Sequence, residues 1–154
     1  MKAVTIIQPW ATLVALRIKT LETRSWATKH RGPLAIHAGQ KVDKEACLIP
    51  QIREALLKHS INDWSELPTG AVIAKAVLND VWSINRPYGA YGLVERLSLD
   101  SGRSICWGGY MPDEYHFGDY SDGRYAWQLD EVVQLHEPVP AKGQLSLWNW
   151  EEPR

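Results

Sequence analysis

The chain has little sulfur and almost no phenylalanine: two Cys, two Met and one Phe in 154 residues. Cys47 and Cys106 stand far apart, and neither belongs to a CxxC or a Cys/His cluster. That spacing excludes a zinc knuckle or a disulfide scaffold and fits a reduced compartment, with one ordinary disulfide still open. No apolar run reaches the eighteen residues that a membrane helix needs. The N-terminal "MKAVTIIQPW" carries a Lys and an apolar run, but Gln8-Pro9 interrupts it and no small-residue cleavage pattern follows. A cytoplasmic protein with no membrane partner is expected. HExxH, a P-loop, GxGxxG after a strand and a nucleophile elbow are all missing, and "DYSDG" at 119–123 has the wrong spacing for a calcium loop. No metal and no cofactor is expected, and no internal repeat or low-complexity segment is visible.

What is present suits an ordinary globule. The composition is 45% hydrophobic and 23% charged, far from disordered or collagenous extremes. The length fits one domain over residues 1–154, able to bury a core without staples. A net charge of −1 hides an asymmetry. Residues 1–44 hold eight cations against Glu22 and Asp43, a net +6, and the remainder holds nine cations against sixteen acids, a net −7. A basic third opposed to an acidic remainder points to one face turned toward a polyanion, unless the fold scatters those charges.

Along the chain, "AVTII" at 3–7 reads as a buried strand and "PWATLVALRI" as a short helix opened by Pro9. "TLETRSW" alternates, placing Glu22, Arg24 and Trp26 on one face of a strand. "PLAIHA" at 33–38 is a further strand. Asp43 is a good N-cap for a helix through "KEACLIPQIREALLKH", in which Pro50 either bends the helix or sets a late start. "PTGAVIAKAVLNDVW" predicts a long strand buried on both sides or curved. Residues 84–123, rich in Gly, Tyr, Asp and Ser, read as loops and short elements of the kind that carry function or move. "RYAWQLDEVVQL" is a strand, "EPVPAKG" a rigid turn and "LSLWNW" a last short strand. The pattern is α+β, and its curvature favours a small β-barrel flanked by two or three helices.

One segment carries chemistry. Lys19, Glu22 and Arg24 fall within six residues, and the acid and the arginine share a strand face about 7 Å apart. They make either a surface ion pair or the wall of an anion site. Lys29, Arg31, His37 and Lys41 follow, with Trp26 among them; cations around a flat ring suit a phosphate backbone with a base stacked on the ring. Trp26 is more often a core residue than a stacking platform, and His37 more often a satisfied structural histidine than an acid or base. Tyr125, Trp127, Trp148 and Trp150 either wall a base pocket or fill the interior; core is the favoured place for Trp127 and Trp148, and Tyr125 stays open.

On these residues the chain resembles a known family. "QPWA", "KTLETRSW", "RGPLAIHAGQK", "LPTGAVIAKAVLNDV" and "GRYAWQLDEVVQLHEPVPAKGQLSLWNW" are similar, in order and over nearly the whole length, to the ASCH domain, the activating signal cointegrator homology domain of the PUA-like superfamily. The resemblance implies a PUA-like barrel and a cleft lined by a G-x-K-x-x-E-x-R motif, with RNA, a nucleotide or a modified nucleoside as partner. Lys19, Glu22 and Arg24 fill the K, E and R. Arg17 stands where the family has Gly, which leaves that turn open and adds a cation at its mouth. One branch resembles an amidohydrolase acting on N4-acetylcytidine through Lys, Thr and Glu. Lys19 matches its Lys, but Glu22 stands at the Thr and no counterpart of the catalytic Glu is evident. Ribonuclease activity suggested for other relatives finds no identifying residue set here.

Two readings result. In the first, Trp10, Lys19, Glu22, Arg24, Trp26, Lys29, Arg31, His37, Lys41 and Tyr125 form a nucleic-acid or ligand surface. In the second, Lys19 and Glu22 are the reacting pair of a hydrolase. No protein partner is singled out.

Overall fold

A computed structural model describes residues 1–89 and 92–154. Its strands are β1 (Lys2–Gln8), β2 (Leu21–Arg24), β3 (Gly32–Val42), β4 (Ala71–Asn85), β5 (Val94–Ser98), β6 (Ser104–Trp107), β7 (Tyr125–Pro140) and β8 (Trp148–Asn149). Two helices, α1 (Trp10–Ala15) and α2 (Pro50–Lys58), flank them. The α+β class therefore holds. The sheet runs β2-β7-β4-β3-β1-β8, with β5 and β6 as a side leaf on the end of β4. β1 and β3 are parallel, and the other pairs are antiparallel.

The expected barrel does not close. Bulges shift the β4–β7 register at three places, between Val72 and Ala74, Lys75 and Val77, and Leu78 and Asp80, and such bulges bend and twist a pair. Even so, the sheet is open. β8 pairs with β1 only at Lys2 and Ala3, so the outer edge of β1 from Thr5 onward faces β2 across a gap with no ladder bonds between them.

Apolar patterning puts the core on both sides of that gap. Val4, Ile6, Val14, Leu34, Ile36, Leu78, Val81, Trp127 and Leu129 form the largest cluster. A second, of Leu13, Ile52, Leu56, Leu67 and Phe117, fastens α2 to α1. Trp127 is fully buried and Trp148 and Trp150 nearly so, which makes all three interior packing. Pro50 sits in the first turn of α2, where its missing N–H costs nothing; the segment before it makes only a 3-10 turn at Ala46–Leu48. "EPVP" is not a turn but the end of β7, because Val139 and Pro140 pair with Val72 and Ala71. Within residues 84–123, the short elements among the loops are the β5–β6 hairpin and a 3-10 turn at Asp113–Phe117. Cys47 and Cys106 are free thiols.

The turn after α1 is what delivers Lys19 to the gap. Gln8, buried, accepts the Thr12 N–H with its side-chain oxygen at 2.9 Å and donates from Nε2 to the Pro68 carbonyl at 2.8 Å, fixing the start of the helix. At the other end, the Ile18 and Lys19 amides both return to the Leu13 carbonyl at 3.0 Å, which requires Arg17 at φ +63°. That left-handed conformation costs a non-glycine residue about 1–2 kcal/mol. Arg17→Gly relieves this strain but adds roughly 0.5–1 kcal/mol of backbone entropy cost. Urea denaturation should show a net gain of about 0.5–1 kcal/mol; a loss of stability would contradict the assigned turn.

Candidate functional site

The site is built at the open seam. β2 pairs with β7, Glu22 opposite Trp127 and Arg24 opposite Tyr125, so its other edge is free. Across the gap, the Arg24 guanidinium donates to the Thr5 carbonyl of β1 from Nη1 at 3.4 Å and Nη2 at 3.3 Å, and Nη1 also reaches Glu22 Oε2 at 3.2 Å. One side chain thus bridges two strands that the backbone leaves unpaired. Lys19 Nζ lies 3.6 Å from Glu22 Oε1 and donates to the Phe117 carbonyl at 2.6 Å. Lys19 is 1% exposed and Glu22 5%. The surface-pair reading of this motif fails on that burial. Two buried charges beside a half-buried guanidinium hold only because each meets an opposite charge or a carbonyl.

A strap from the far end of the chain closes one side. The Glu114 carboxylate accepts the Thr20 N–H at 2.8 Å and the Thr20 hydroxyl at 2.6 Å, and the Thr23 hydroxyl accepts the Asp119 N–H at 3.0 Å. Gly118 lies flat against β2: a methyl there would come within 3.0 Å of Thr23 Cγ2 and 3.3 Å of Lys19 Nζ. Asp119 is paired with Arg124 at 3.5 Å, and its carboxyl is held below the usual range first by the Ser121 hydroxyl.

The resulting cavity has a volume of about 380 Å³. Its floor is Lys19, Glu22 and Arg24. Ile6, Ile7, Trp10 and Ile49 make an apolar wall, and His116, Asp119 and Arg124 stand on the opposite rim. Of the ten residues expected from sequence, Trp10, Lys19, Glu22 and Arg24 are brought together here. Trp26 stands beside them, with the Arg24 guanidinium 5.7 Å over its ring and its edge packed on Trp127 at 4.8 Å.

The other five lie elsewhere. Arg31 is engaged by Asp100 at 2.9 and 3.1 Å and by the Thr28 and His30 carbonyls. His37 is buried between Thr5 Oγ1 at 3.1 Å and the Ala141 carbonyl at 2.7 Å, so both ring nitrogens are partnered. Tyr125 packs half-buried on the main core, and Lys29 and Lys41 are exposed away from the cavity lining. Sequence reasoning missed Thr23, His116, Phe117, Gly118, Asp119 and Arg124. The one available signal was the odd composition of 84–123. Among the described residues, no three His, Cys, Asp or Glu are grouped to hold a metal ion, and no helix is long and apolar enough to cross a membrane.

The chain is thus an α+β protein, a curved open sheet with two small helices and an ionic cleft at its seam. The sequence model of the ASCH domain matches residues 4–132, and the chain belongs to that family. A search of curated proteins gives no match.

Burial pushes the Lys19 ammonium below its ordinary value of 10.5, while the Glu22 carboxylate pulls the other way. The folded state therefore holds this proton less tightly than the unfolded chain, and stability at this residue rises with pH between the lowered folded value and 10.5. The unfolding free energy of the wild type, measured against Lys19→Met, should climb as pH is raised toward 10.5. A difference that stays flat or falls contradicts the burial.

Proposed function

We propose that the chain recognises a nucleobase, in RNA or as a modified nucleoside, through the seam cleft. The observation that carries this reading is a buried carboxylate fixed between two cations beneath an aromatic and aliphatic wall. Glu22 has both oxygens steered by positive partners, and its remaining lone pairs are available to an exocyclic amine or a ribose hydroxyl. Trp10 with Ile6 and Ile7 offers apolar surface to a ring. Two cations against one acid leave the floor with a net positive charge, which favours an anionic ligand, while at the rim Arg124 is offset by Asp119. The cavity volume is that of a small-molecule site. Membership of the ASCH family supports the same class of ligand.

Calorimetric titration with the four ribonucleosides and N4-acylcytidines tests it. At least one should bind, and Glu22→Gln, which keeps shape but removes charge, should weaken it by about ten- to one-hundred-fold, as expected for one charge-assisted hydrogen bond. Equal binding by wild type and variant, or no binding across the panel, overturns the reading.

One observation favours a second reading. A buried lysine with a lowered pKa supplies neutral amine more readily than an exposed one, and neutral amine is a base or nucleophile. With Glu22 beside it, the cleft would then hydrolyse an acylated nucleoside or RNA. Release of acetate from N4-acetylcytidine, or cleavage of single-stranded RNA, that disappears in Lys19→Met supports hydrolysis. Intact substrates, with and without divalent metal, retire it.

A further inference from the structure

The β5–β6 hairpin carries an arginine where a core residue belongs. Val94, Arg96 and Ser98 are the buried positions of β5, and Arg96 pairs with Ile84 of β4 on one side and Ile105 of β6 on the other. Arg96 is only 8% exposed. Its guanidinium carbon lies 4.5 Å from the ring centre of Trp107 and 5.4 Å from that of Trp82. Arg103, exposed, lies 5.5 Å from the same Trp82 ring.

These two cations lack what three other arginines have. Arg24, Arg31 and Arg124 are paired with Glu22, Asp100 and Asp119. Among the described residues, neither Arg96 nor Arg103 has a carboxylate partner, and the buried Nε of Arg96 has no hydrogen-bond partner at all. Withdrawing a guanidinium from water with no carboxylate in contact, the Glu114 charge acting only from a distance, is expensive, and cation–π contact returns only about 0.5–2 kcal/mol. An apolar side chain would fill the space at lower cost. The arrangement makes physical sense as a pre-positioned cation whose anion comes from outside.

The hairpin and the cleft share a wall. Tyr120 packs on Trp107 at 5.0 Å and Tyr115 at 5.8 Å, and the same strap supplies His116, Phe117, Gly118 and Asp119 to the cleft. Tyr110, shortly after β6, is 95% exposed, an unpacked ring in reach of a base. Guanidinium groups alternating with rings match a strand that alternates phosphates with bases.

We propose that Arg96 and Arg103, braced on Trp82 and Trp107, bind backbone phosphates of the RNA strand whose base occupies the cleft. This extends the nucleobase reading and depends on it for the identity of the ligand. The test is fluorescence anisotropy of a labelled, mixed-sequence, single-stranded RNA dodecamer at several salt concentrations, with wild type, Glu22→Gln, Arg103→Gln and Arg96→Met/Arg103→Gln. The arginine variants should bind roughly three- to ten-fold more weakly each, for every sequence alike, with the slope of log affinity against log salt reduced by about 0.7 per arginine removed.

Arg103 is exposed, so Arg103→Gln decides the matter even where the double variant fails to fold. Wild-type affinity and slope in Arg103→Gln overturn the second contact. Loss of affinity in Glu22→Gln alone leaves the cleft standing without the hairpin, and loss in Arg103→Gln alone leaves the hairpin without the cleft. A wild type that does not bind the dodecamer overturns the strand-binding proposal outright.

Discussion

Glu22 lies under the sheet seam with an ammonium near one oxygen and a guanidinium on the other, and nearly every feature of the site answers to the cost of keeping it there. A lone carboxylate at that depth would take up a proton. A lone lysine at the position of Lys19 would shed one. Together with Arg24 they offset one another's charge in a largely buried space, where their fields are little screened. Breaking one partner leaves the others uncompensated, so the three residues act as a unit.

The fold supplies that unit through an omission. β1 and β2 are neighbours in space without a ladder between them, and Arg24 satisfies the exposed Thr5 carbonyl in place of a backbone amide. A continuous ladder would have filled the gap that the cleft occupies. The strap then completes the walls: Glu114 fixes it to the entry of β2, Thr23 fixes its end, and the bare Cα of Gly118 lets its backbone lie against Lys19. The strap's other face packs on the β5–β6 hairpin, which couples the floor of the cleft to the aromatic and cationic cluster beyond it.

Some of this was legible in the sequence. Period-two alternation in "TLETRSW" put Glu22, Arg24 and Trp26 on one face; β2 ends at Arg24 and its first three residues are all buried, so Trp26 lies beyond the strand and only the Glu22–Arg24 pair is kept together. The spacing of Lys19 from Glu22 was visible, but bringing its ammonium back to the strand depends on Arg17 adopting a conformation that composition does not announce. The strap was beyond reach because Glu114 and Asp119 lie more than ninety residues from the groups they bond, and no local pattern encodes such pairing. The β5–β6 hairpin hid behind glycine, arginine and serine, and its buried arginine breaks the alternation by which a strand is recognised. Arg31 and His37 looked like ligand groups because sequence shows residue types without their partners. Asp100 and Ala141 turned both to structural use.

Everything proposed for the cleft requires Glu22 to meet a ligand directly. Soaking crystals of the protein with cytidine and N4-acetylcytidine tests that contact most plainly. The expected density is a base seated against Trp10 with a donor within hydrogen-bond distance of the Glu22 carboxylate, and the Lys19 and Arg24 contacts retained. Ligand density only at another surface, with the seam cleft closed or filled by solvent alone, would contradict it.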